Sequence, residues 1–272
     1  MIGKKKMSKD ISSKHTFVVC AYRESQYLEE CVCSVVNQKC KSTVVMSTGT
    51  PNAYIEEIAR KYNLKLFVNE GPSSIANDWN FAVECAKTEL VTLAHQDDIY
   101  EPEYSEKIVD AYEKGKAPII MFSDYSELRE GIKVKTNRLL KIKRVMLFPL
   151  RFRFMWKSRF IRRRILSFGS AICCPAVTLV KTKIPLPLFE NNMKSNIDWQ
   201  AWELLSRLDG SFVYVPERLM AHRIHEESTT SSLLVDNARQ QEDLMVFEKF
   251  WPRWIARLIE KIYQLSEKSN DL

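Results

Sequence analysis

Two adjacent carboxylates, Asp97 and Asp98, follow the apolar run Leu90–Ala94 in this chain of 272 residues. The run has the length and composition of a short buried strand, so the two acids stand at a strand end. Carboxylates in that position suit a hard divalent cation, Mg²⁺ or Mn²⁺, that also grips a diphosphate. The other interpretation is a solvated loop that leads into a helix starting near Pro102.

A second polar cluster comprises His222, Arg223 and His225, in a polar stretch that continues to Ser232. Arginine can hold a phosphate through two parallel hydrogen bonds, and histidine binds metal or phosphate. Three of the four histidines, His95 among them, lie in this cluster or beside the acid pair. The pattern favours a phosphate or metal site, and an ordinary surface loop over the stretch from His222 is the alternative.

A third candidate is Asp198, which follows the polar run Asn191–Asn196. It begins a predicted helix that places Trp199 and Trp202 on one face. A carboxylate at a helix start fits either a general base or a simple N-cap, and the residues alone leave both interpretations open.

Strand and helix patterns alternate over the first 125 residues. This alternation predicts an α/β fold with a mostly parallel central sheet flanked by helices. Because such sheets bind ligands beyond the carboxyl ends of their strands, the polar residues at those ends are expected to meet in one cleft. The predicted strands of this half are Thr16–Ala21, Thr43–Met46, Leu64–Val68, Glu89–Ala94 and Pro118–Ser123. In the second half, the sequence predicts a strand over Ser211–Val215 and a polar loop over His222–Ser232.

Basic residues are concentrated in the second half. From Gly131 to Phe189 the chain has 15 lysines and arginines and no acid, against a net charge of +7 overall, which predicts an anionic partner. From Arg151 to Leu166 aromatic and basic residues recur at spacings compatible with an amphipathic helix, which favours an anionic membrane surface. Packing on the core is the alternative. Nucleic acid is disfavoured, because no nucleic-acid-binding motif is present.

The N-terminal stretch Met1–Lys14 is basic and polar and lacks the apolar core of a signal peptide. No apolar run reaches the roughly 18 residues of a membrane span. We therefore expect a cytoplasmic protein, peripheral at the inner face of the plasma membrane if the basic block binds lipid. The seven cysteines are an odd number without disulfide spacing, so Cys20, Cys31 and Cys85 are expected to be reduced core residues.

Taken in order, these motifs resemble the inverting nucleotide-sugar glycosyltransferase family 2, which has the GT-A fold. The resemblance rests on the opening TFVVCAYRES, on Asn77 and Asn80 in a helix, on LVTLAHQDDIY, on Asp198-Trp199 and on the tail HRIHEESTT. It implies a GT-A domain over residues 14–232, with a nucleotide-sugar half over about 14–125 and an acceptor half over about 126–232. Residues 233–272 are then a C-terminal helical extension, broken at Pro252.

The resemblance also implies a role for each motif. It implies transfer of a sugar from a nucleotide diphosphate donor, with UDP favoured, to a hydroxyl of a saccharide or lipid-linked acceptor in cell-envelope or surface polysaccharide synthesis. Asp198 would be the catalytic base. Asp97, Asp98 and His225 would hold Mg²⁺ or Mn²⁺. The nucleotide-sugar contacts would come from Ala21, Tyr22, Glu24, Ser47, Asn77, Asn80, His95, Gln96, Asp97 and Arg223.

The chain departs from the usual family pattern at three places. The family usually has Asp at the position of His95, Asp residues over Ser47–Thr50, and an acid at the position of Ile197. Nucleotidyltransferases and nucleotide-sugar hydrolases also place acids at strand ends, so they remain rival functions. A nucleotidyltransferase would be expected to have a phosphate loop rich in glycine and lysine near the N-terminus, and Val18–Ser25 contains no glycine.

Overall fold

The computed structural model describes residues 10–225 and 238–268, and the strands of these residues form one sheet in the order β3-β2-β1-β4-β8-β6-β9-β5, with β7 paired to β6. The strands are β1 (His15–Ala21), β2 (Thr43–Thr48), β3 (Lys65–Val68), β4 (Leu90–His95), β5 (Ile99–Tyr100), β6 (Pro118–Arg129), β7 (Ile132–Val134), β8 (Val177–Val180) and β9 (Ser211–Ile224). The helices are α1 (Leu28–Val36), α2 (Ala53–Lys61), α3 (Ile75–Cys85), α4 (Tyr104–Lys114), α5 (Arg138–Leu147), α6 (Arg159–Leu166), α7 (Ile197–Ser206), α8 (Ala238–Glu248) and α9 (Arg253–Lys268).

The N-terminal half of the sheet is parallel, as the alternation predicts. Strand β1 lies between β2 and β4, and β2 also pairs with β3. Almost every residue of β1 is buried, which is typical of a central parallel strand covered by helices. The register aligns Ala21 with Thr48 and Cys20 with His95, so the carboxyl ends of β1, β2 and β4 lie side by side.

Beyond β4 the sheet becomes mixed. Strand β8 runs antiparallel to both of its neighbours, β4 and β6, whereas β6 and β9 are parallel. The expected α/β architecture of a central sheet flanked by helices is confirmed, with the parallel pairings confined to β1–β4 and to β6–β9. The long parallel pair β6–β9 brings His222 and Arg223 beside the turn that follows β4.

Two strands continue beyond their predicted ends, because they pair with each other. Strand β6 runs on past Ser123 and β9 past Val215, and Glu127 pairs with His222 in register. Backbone pairing thus holds polar residues in a strand that their composition alone assigned to a loop. The predicted loop from His222 is therefore wrong as far as Ile224, and its residues 226–232 lie outside the described part of the chain.

The basic block does not form one amphipathic helix. Helix α5 ends at Leu147, two short 3-10 turns follow, and the side chain of Ser158 accepts the N-terminal hydrogen bond of α6. Pro149 in the first turn has no N–H to donate, which ends the α-helical pattern there. The amphipathic helix expected over Arg151–Leu166 is therefore wrong before Arg159, where α6 begins.

The guanidinium of Arg162 in α6 is buried rather than presented to a membrane. Its three nitrogens donate to the backbone carbonyls of Ser206, Leu208 and Gly210. These carbonyls belong to the C-terminal end of α7 and the turn after it, where helical partners run out. Arg162 therefore closes this end of α7.

No disulfide joins the seven cysteines, and of the three expected in the core, Cys31 is buried whereas Cys20 and Cys85 are partly buried. Within residues 10–225 and 238–268, no helix is both long enough and apolar enough to cross a membrane. Helices α8 and α9 lie on either side of Pro252, where the sequence predicts the break. The proposed boundary between residues 232 and 233 falls outside the described residues.

Candidate active site

The carboxylate of Asp97 faces the end of β9. Asp97 lies in the turn between β4 and β5, and its Oδ2 is 3.0 Å from Nε2 of His225, the residue that follows β9. Both side chains are partly exposed. The acid pair and the histidine cluster, which are far apart in sequence, therefore meet at one solvent-facing edge.

The neighbouring Asp98 points into the protein and is almost fully buried. Its Oδ1 accepts a hydrogen bond of 2.9 Å from the backbone N–H of Arg223 and lies 3.0 Å from Nδ1 of His222. Although burial alone would lower the pKa of His222, the Asp98 carboxylate raises it above its ordinary value. Asp98 thus attaches the acidic turn to β9, and its other oxygen is buried with no hydrogen-bond partner among the described residues.

Arg223 joins three elements at this edge. Its Nε donates to the backbone carbonyl of Asp97 over 2.9 Å, and a terminal nitrogen forms an ion pair with Glu30 of α1. The guanidinium also lies 4.1 Å from the ring centroid of Tyr27. Arg223 therefore fixes the backbone of Asp97 and brings positive charge to the rim where a diphosphate would bind.

The amide of Gln96 forms a paired contact with the end of β1. Its Oε1 accepts from the backbone N–H of Tyr22 over 2.8 Å, and its Nε2 donates to the carbonyl of Tyr22 over 3.1 Å. The ring of Tyr22 is exposed, with the guanidinium of Arg23 5.0 Å from its centroid. Gln96 therefore fixes the end of β1, and the ring of Tyr22 remains exposed beside it.

His95, at the position where the family usually has Asp, is a neutral aromatic group. Its ring stacks on Trp79 with centroids 4.9 Å apart and an interplanar angle of 22°. Burial lowers the pKa of His95, against the opposing charges of Asp98 and Asp97. Its Nε2 is buried with no hydrogen-bond partner among the described residues, so this position offers a ring nitrogen and a stacking face instead of a negative charge.

Asn80, a predicted nucleotide-sugar contact, bonds to the chain itself. Its side-chain oxygen accepts from the backbone N–H groups of Leu188 and Phe189, and its Nδ2 donates to the carbonyl of Phe189. This use of both ends of the amide ties α3 to the segment that leads toward α7. Asn77 makes one comparable bond, from its Nδ2 to the carbonyl of Pro72 over 2.8 Å.

The other predicted donor contacts differ in exposure. Ala21 and Ser47 are buried at the ends of β1 and β2, and Glu24 is exposed in the turn after β1. Buried side chains at strand ends shape the floor of a cleft, and they offer a ligand mainly backbone atoms.

Asp78 of α3 is a carboxylate that sequence reasoning missed. A Cβ on Gly49 would lie only 2.6 Å from its Oδ1, so the absence of a side chain there makes room for it. Its Oδ1 also accepts from Nδ2 of Asn69 over 2.7 Å, and burial raises the pKa of Asp78. The acid that the family usually has after β2 is absent from the sequence of that loop, but Asp78 brings a carboxylate against it from another element.

Asp198 is the second residue of α7, whose N-cap is Asn196, so Asp198 is not the cap itself. It is partly exposed, and its Oδ1 accepts from the backbone N–H of Trp199 over 2.7 Å. Burial raises the pKa of Asp198 to about 6, which suits a general base that works near neutral pH. Burial also raises the pKa of the Cys173 thiol, and the charges of Asp98 and Asp198 both raise it further.

Lys143 of α5 is a second residue that the sequence did not single out. Its Nζ donates to the hydroxyl of Tyr125 over 3.0 Å, and the ring of Tyr125 contacts that of His222 with centroids 6.4 Å apart. The charge of Lys143 lowers the pKa of Asp198, an effect smaller than that of burial. The same charge opposes the rise in the pKa of His222, so Lys143 influences both His222 and Asp198.

Among the described residues, no group of three or more His, Cys, Asp or Glu side chains could hold a metal ion by itself. Asp97 and His225 nevertheless provide one carboxylate oxygen and one imidazole nitrogen 3.0 Å apart at a partly exposed edge. Mg²⁺ in enzymes commonly uses one or two carboxylates and completes its shell with water and substrate phosphates. This donor set therefore fits a cation that binds together with a diphosphate.

The comparison with protein families decides the classification. The family model described as Glycosyl transferase family 2 matches residues 16–184. The chain belongs to this family. An uncharacterized glycosyltransferase of Haemophilus influenzae is 25% identical to this family 2 chain over an alignment of 237 residues that covers 83% of the chain and 69% of that protein.

Solved structures of other glycosyltransferases share the fold of this family 2 chain. S. aureus TarS 1–349 in complex with UDP-GlcNAc aligns with a TM-score of 0.65 and 14% identity, over 91% of this chain and 70% of that one. The mannosyltransferase PcManGT of Pyrobaculum calidifontis, in complex with GDP-Man and Mn²⁺, aligns with a TM-score of 0.60 and 14% identity, over 87% and 63%. Glucosyl-3-phosphoglycerate synthase of Mycobacterium tuberculosis, with Mn²⁺ and UDP-glucose, aligns with a TM-score of 0.57 and 13% identity, over 87% and 79%. The GT-A fold expected from the sequence is confirmed.

We expect Asp98→Ala to destabilise the protein far more than Asp97→Ala. Loss of the buried Asp98 carboxylate leaves the N–H of Arg223 and the ring of His222 without their acceptor, at a cost of about 3 kcal/mol. Asp97 is partly exposed and loses one side-chain contact, at a cost of about 1 kcal/mol or less. Urea unfolding of the two variants measures both values, and equal losses would contradict the structural role of Asp98.

Proposed function

We propose that this family 2 protein is an inverting, metal-assisted glycosyltransferase that moves a sugar from a nucleotide diphosphate donor to an acceptor hydroxyl. The observation that carries the proposal is that two carboxylates occupy different environments. Asp97 and His225 form a partly exposed donor set at the strand ends, and burial raises the pKa of Asp198 to about 6. In the proposed reaction, Asp97 serves the leaving diphosphate and Asp198 serves the acceptor hydroxyl.

At the donor side, the strand ends would bind the nucleoside. Tyr22 offers an exposed ring, and Asp78 beside Gly49 offers a carboxylate that can accept from the N–H of a uracil or guanine base. A UDP-sugar is favoured by the sequence resemblance, and the fold neighbours were solved with UDP-GlcNAc, UDP-glucose or GDP-mannose. Asp97 and His225 would hold Mg²⁺ or Mn²⁺, which supplies charge stabilisation to the departing diphosphate.

At the acceptor side, the oxygen of the acceptor hydroxyl would attack the anomeric carbon while Asp198 takes the proton of that hydroxyl. The bond from that carbon to the diphosphate oxygen breaks as the new bond forms, and the nucleoside diphosphate leaves with the electron pair. Attack from the face opposite the leaving group inverts the configuration. The positive charge of Arg223 near Asp97 adds to the stabilisation of the leaving group.

The acceptor is proposed to be a saccharide or a lipid-linked saccharide of envelope polysaccharide synthesis, at the cytoplasmic face of an anionic membrane. Support comes from an exposed aromatic patch inside the basic block, formed by Phe148, Phe152 and Phe154. Neighbouring rings of this patch lie 5.6 and 5.9 Å apart, and the exposed Arg151 and Arg153 alternate with them. Aromatic rings among basic side chains suit the interface of an anionic bilayer.

A panel of UDP-, GDP- and dTDP-sugars with Mg²⁺ or Mn²⁺ tests the reaction. We expect a nucleoside diphosphate as product, and we expect Asp97→Asn to lose metal-stimulated turnover while its melting temperature stays close to that of the wild type. Full activity of Asp97→Asn would rule out its metal role. Release of pyrophosphate would instead identify a nucleotidyltransferase.

The role of Asp198 predicts a pH dependence. Its folded pKa is raised to about 6, so the carboxyl becomes protonated, and unable to accept a proton, as the pH falls through that value. We expect kcat to decrease below about pH 6, and we expect Asp198→Asn to lower kcat roughly a hundredfold or more with little change in donor affinity. Asp209→Asn, at an exposed acid in the turn after α7, is the matched control. An equal loss of donor binding in Asp198→Asn would indicate a structural role.

Membrane association predicts co-sedimentation with phosphatidylglycerol vesicles and little binding to phosphatidylcholine vesicles. Binding should weaken with added salt, because salt screens the attraction between basic side chains and anionic lipid. Replacing Phe152 and Phe154 with Ser should reduce binding, whereas Ile132→Ser, at an equally exposed apolar residue outside the patch, should not. The absence of binding at low salt would leave a soluble acceptor.

A further inference from the structure

The C-terminal helix α9 carries an exposed apolar stripe. Trp254, Leu258 and Ile262 follow one another at four-residue intervals, so they lie along one face of the helix. Their exposed fractions are 71%, 56% and 61%. Three large apolar side chains in one row, each more than half exposed, are unfavourable on a surface that faces only water.

The remaining faces of α9 have clear roles. Ala256 is buried, and Ile259 and Tyr263 are partly buried against the core. Arg253, Arg257 and Lys261 are exposed, and each precedes one residue of the stripe, so a basic row borders the stripe along its length. At about 100° per residue, the order around the helix is basic row, apolar stripe and core face.

The inner face of α9 reaches the element that carries Asp198. The ring of Tyr263 lies 6.3 Å from that of Trp199, the residue next to Asp198 in α7, and 5.8 Å from that of Phe247 in α8. The edge of Tyr263 also lies against Gly169, where a Cβ would approach within 2.8 Å. Helix α9 is therefore packed against α7 and α8 through Tyr263, with its stripe turned outward.

We infer that α9 is an in-plane membrane helix, whose stripe enters the interface of an anionic bilayer while its basic row contacts the lipid headgroups. An anionic bilayer fits this surface because the basic row is attracted to anionic lipid headgroups. The indole ring of Trp254 is also favoured at the level of the headgroups. The helix would then hold the Asp198 side of the cleft at the membrane surface. This orientation rests on the proposed function, since it delivers a lipid-linked acceptor to the proposed base.

The test is co-sedimentation of the full chain with phosphatidylglycerol vesicles. Replacement of Trp254, Leu258 and Ile262 with Ser should weaken binding about tenfold or more. Met245→Ser, at an exposed apolar residue of the neighbouring helix α8, should leave binding unchanged. Arg257→Ser combined with Lys261→Ser should weaken binding at low salt and make it less dependent on salt.

Insertion of the helix has its own readout. Brominated lipid should quench part of the tryptophan fluorescence of the bound wild type, and Trp254→Phe should keep the binding but lose that part of the quenching. The inference is overturned if the triple variant binds vesicles as the wild type does, or if Trp254→Phe leaves the quenching unchanged. It is also overturned if light scattering shows a dimer that the triple variant dissociates, because the stripe would then be a contact between two copies.

UDP binding by each variant separates this inference from the proposed function. A triple variant that binds UDP normally but no longer binds vesicles supports the membrane role of α9. A wild type that binds vesicles through the aromatic patch alone removes the role of α9 and leaves the transferase proposal intact. A wild type that binds no nucleotide removes the transferase proposal, and the vesicle result still stands.

Discussion

The buried carboxylate of Asp98 and the backbone of β9 form the contact on which the candidate site depends. By accepting from the N–H of Arg223, Asp98 fixes the turn after β4 against the end of a strand that is distant in sequence. In this turn, which a hydrogen bond from the N–H of Asp98 to the carbonyl of His95 closes, Asp98 is buried and Asp97 is partly exposed. Asp97 faces His225, so the two adjacent acids have different environments.

The charges of the cleft are arranged in separate zones. Arg223, which also pairs with Glu30, balances part of the negative charge at the strand ends. His222 lies at the same place, and the Asp98 carboxylate raises its pKa. The neutral ring of His95 reduces the negative charge at this edge relative to a chain with Asp at that position. Lys143 bonds to Tyr125, and its charge lowers the pKa of Asp198, against the larger effect of burial.

The sequence predicted those helices and strands whose signals lie within the element itself. Strand β1 and helices α2 and α3 are set by apolar periodicity and by the caps Asn52 and Ser74, and both signals are readable from the chain. Strand β9 could not be read in full, because its polar end depends on pairing with β6.

The candidate site divides in the same way. Candidate roles could be assigned from side-chain type alone for Asp97, His225 and Asp198. Asp78 and Lys143 escaped notice, because their importance comes from Gly49 and Tyr125, which lie on other elements. Asn80 had the right residue type for a ligand contact, but its amide is engaged by Leu188 and Phe189, which no local pattern reveals.

The position of β8 has a consequence for biosynthesis. Strand β8 lies between β4 and β6 in the sheet, although the ribosome makes it after both. Until Val180 has emerged, β4 and β6 each have an open edge, and β6 must wait still longer for its parallel partner, which begins at Ser211. Open edges invite pairing with other chains, and pairings so distant in sequence form slowly. The nascent chain therefore passes through a stage at which β1 to β4 can pair with one another while β6 still lacks both β8 and β9.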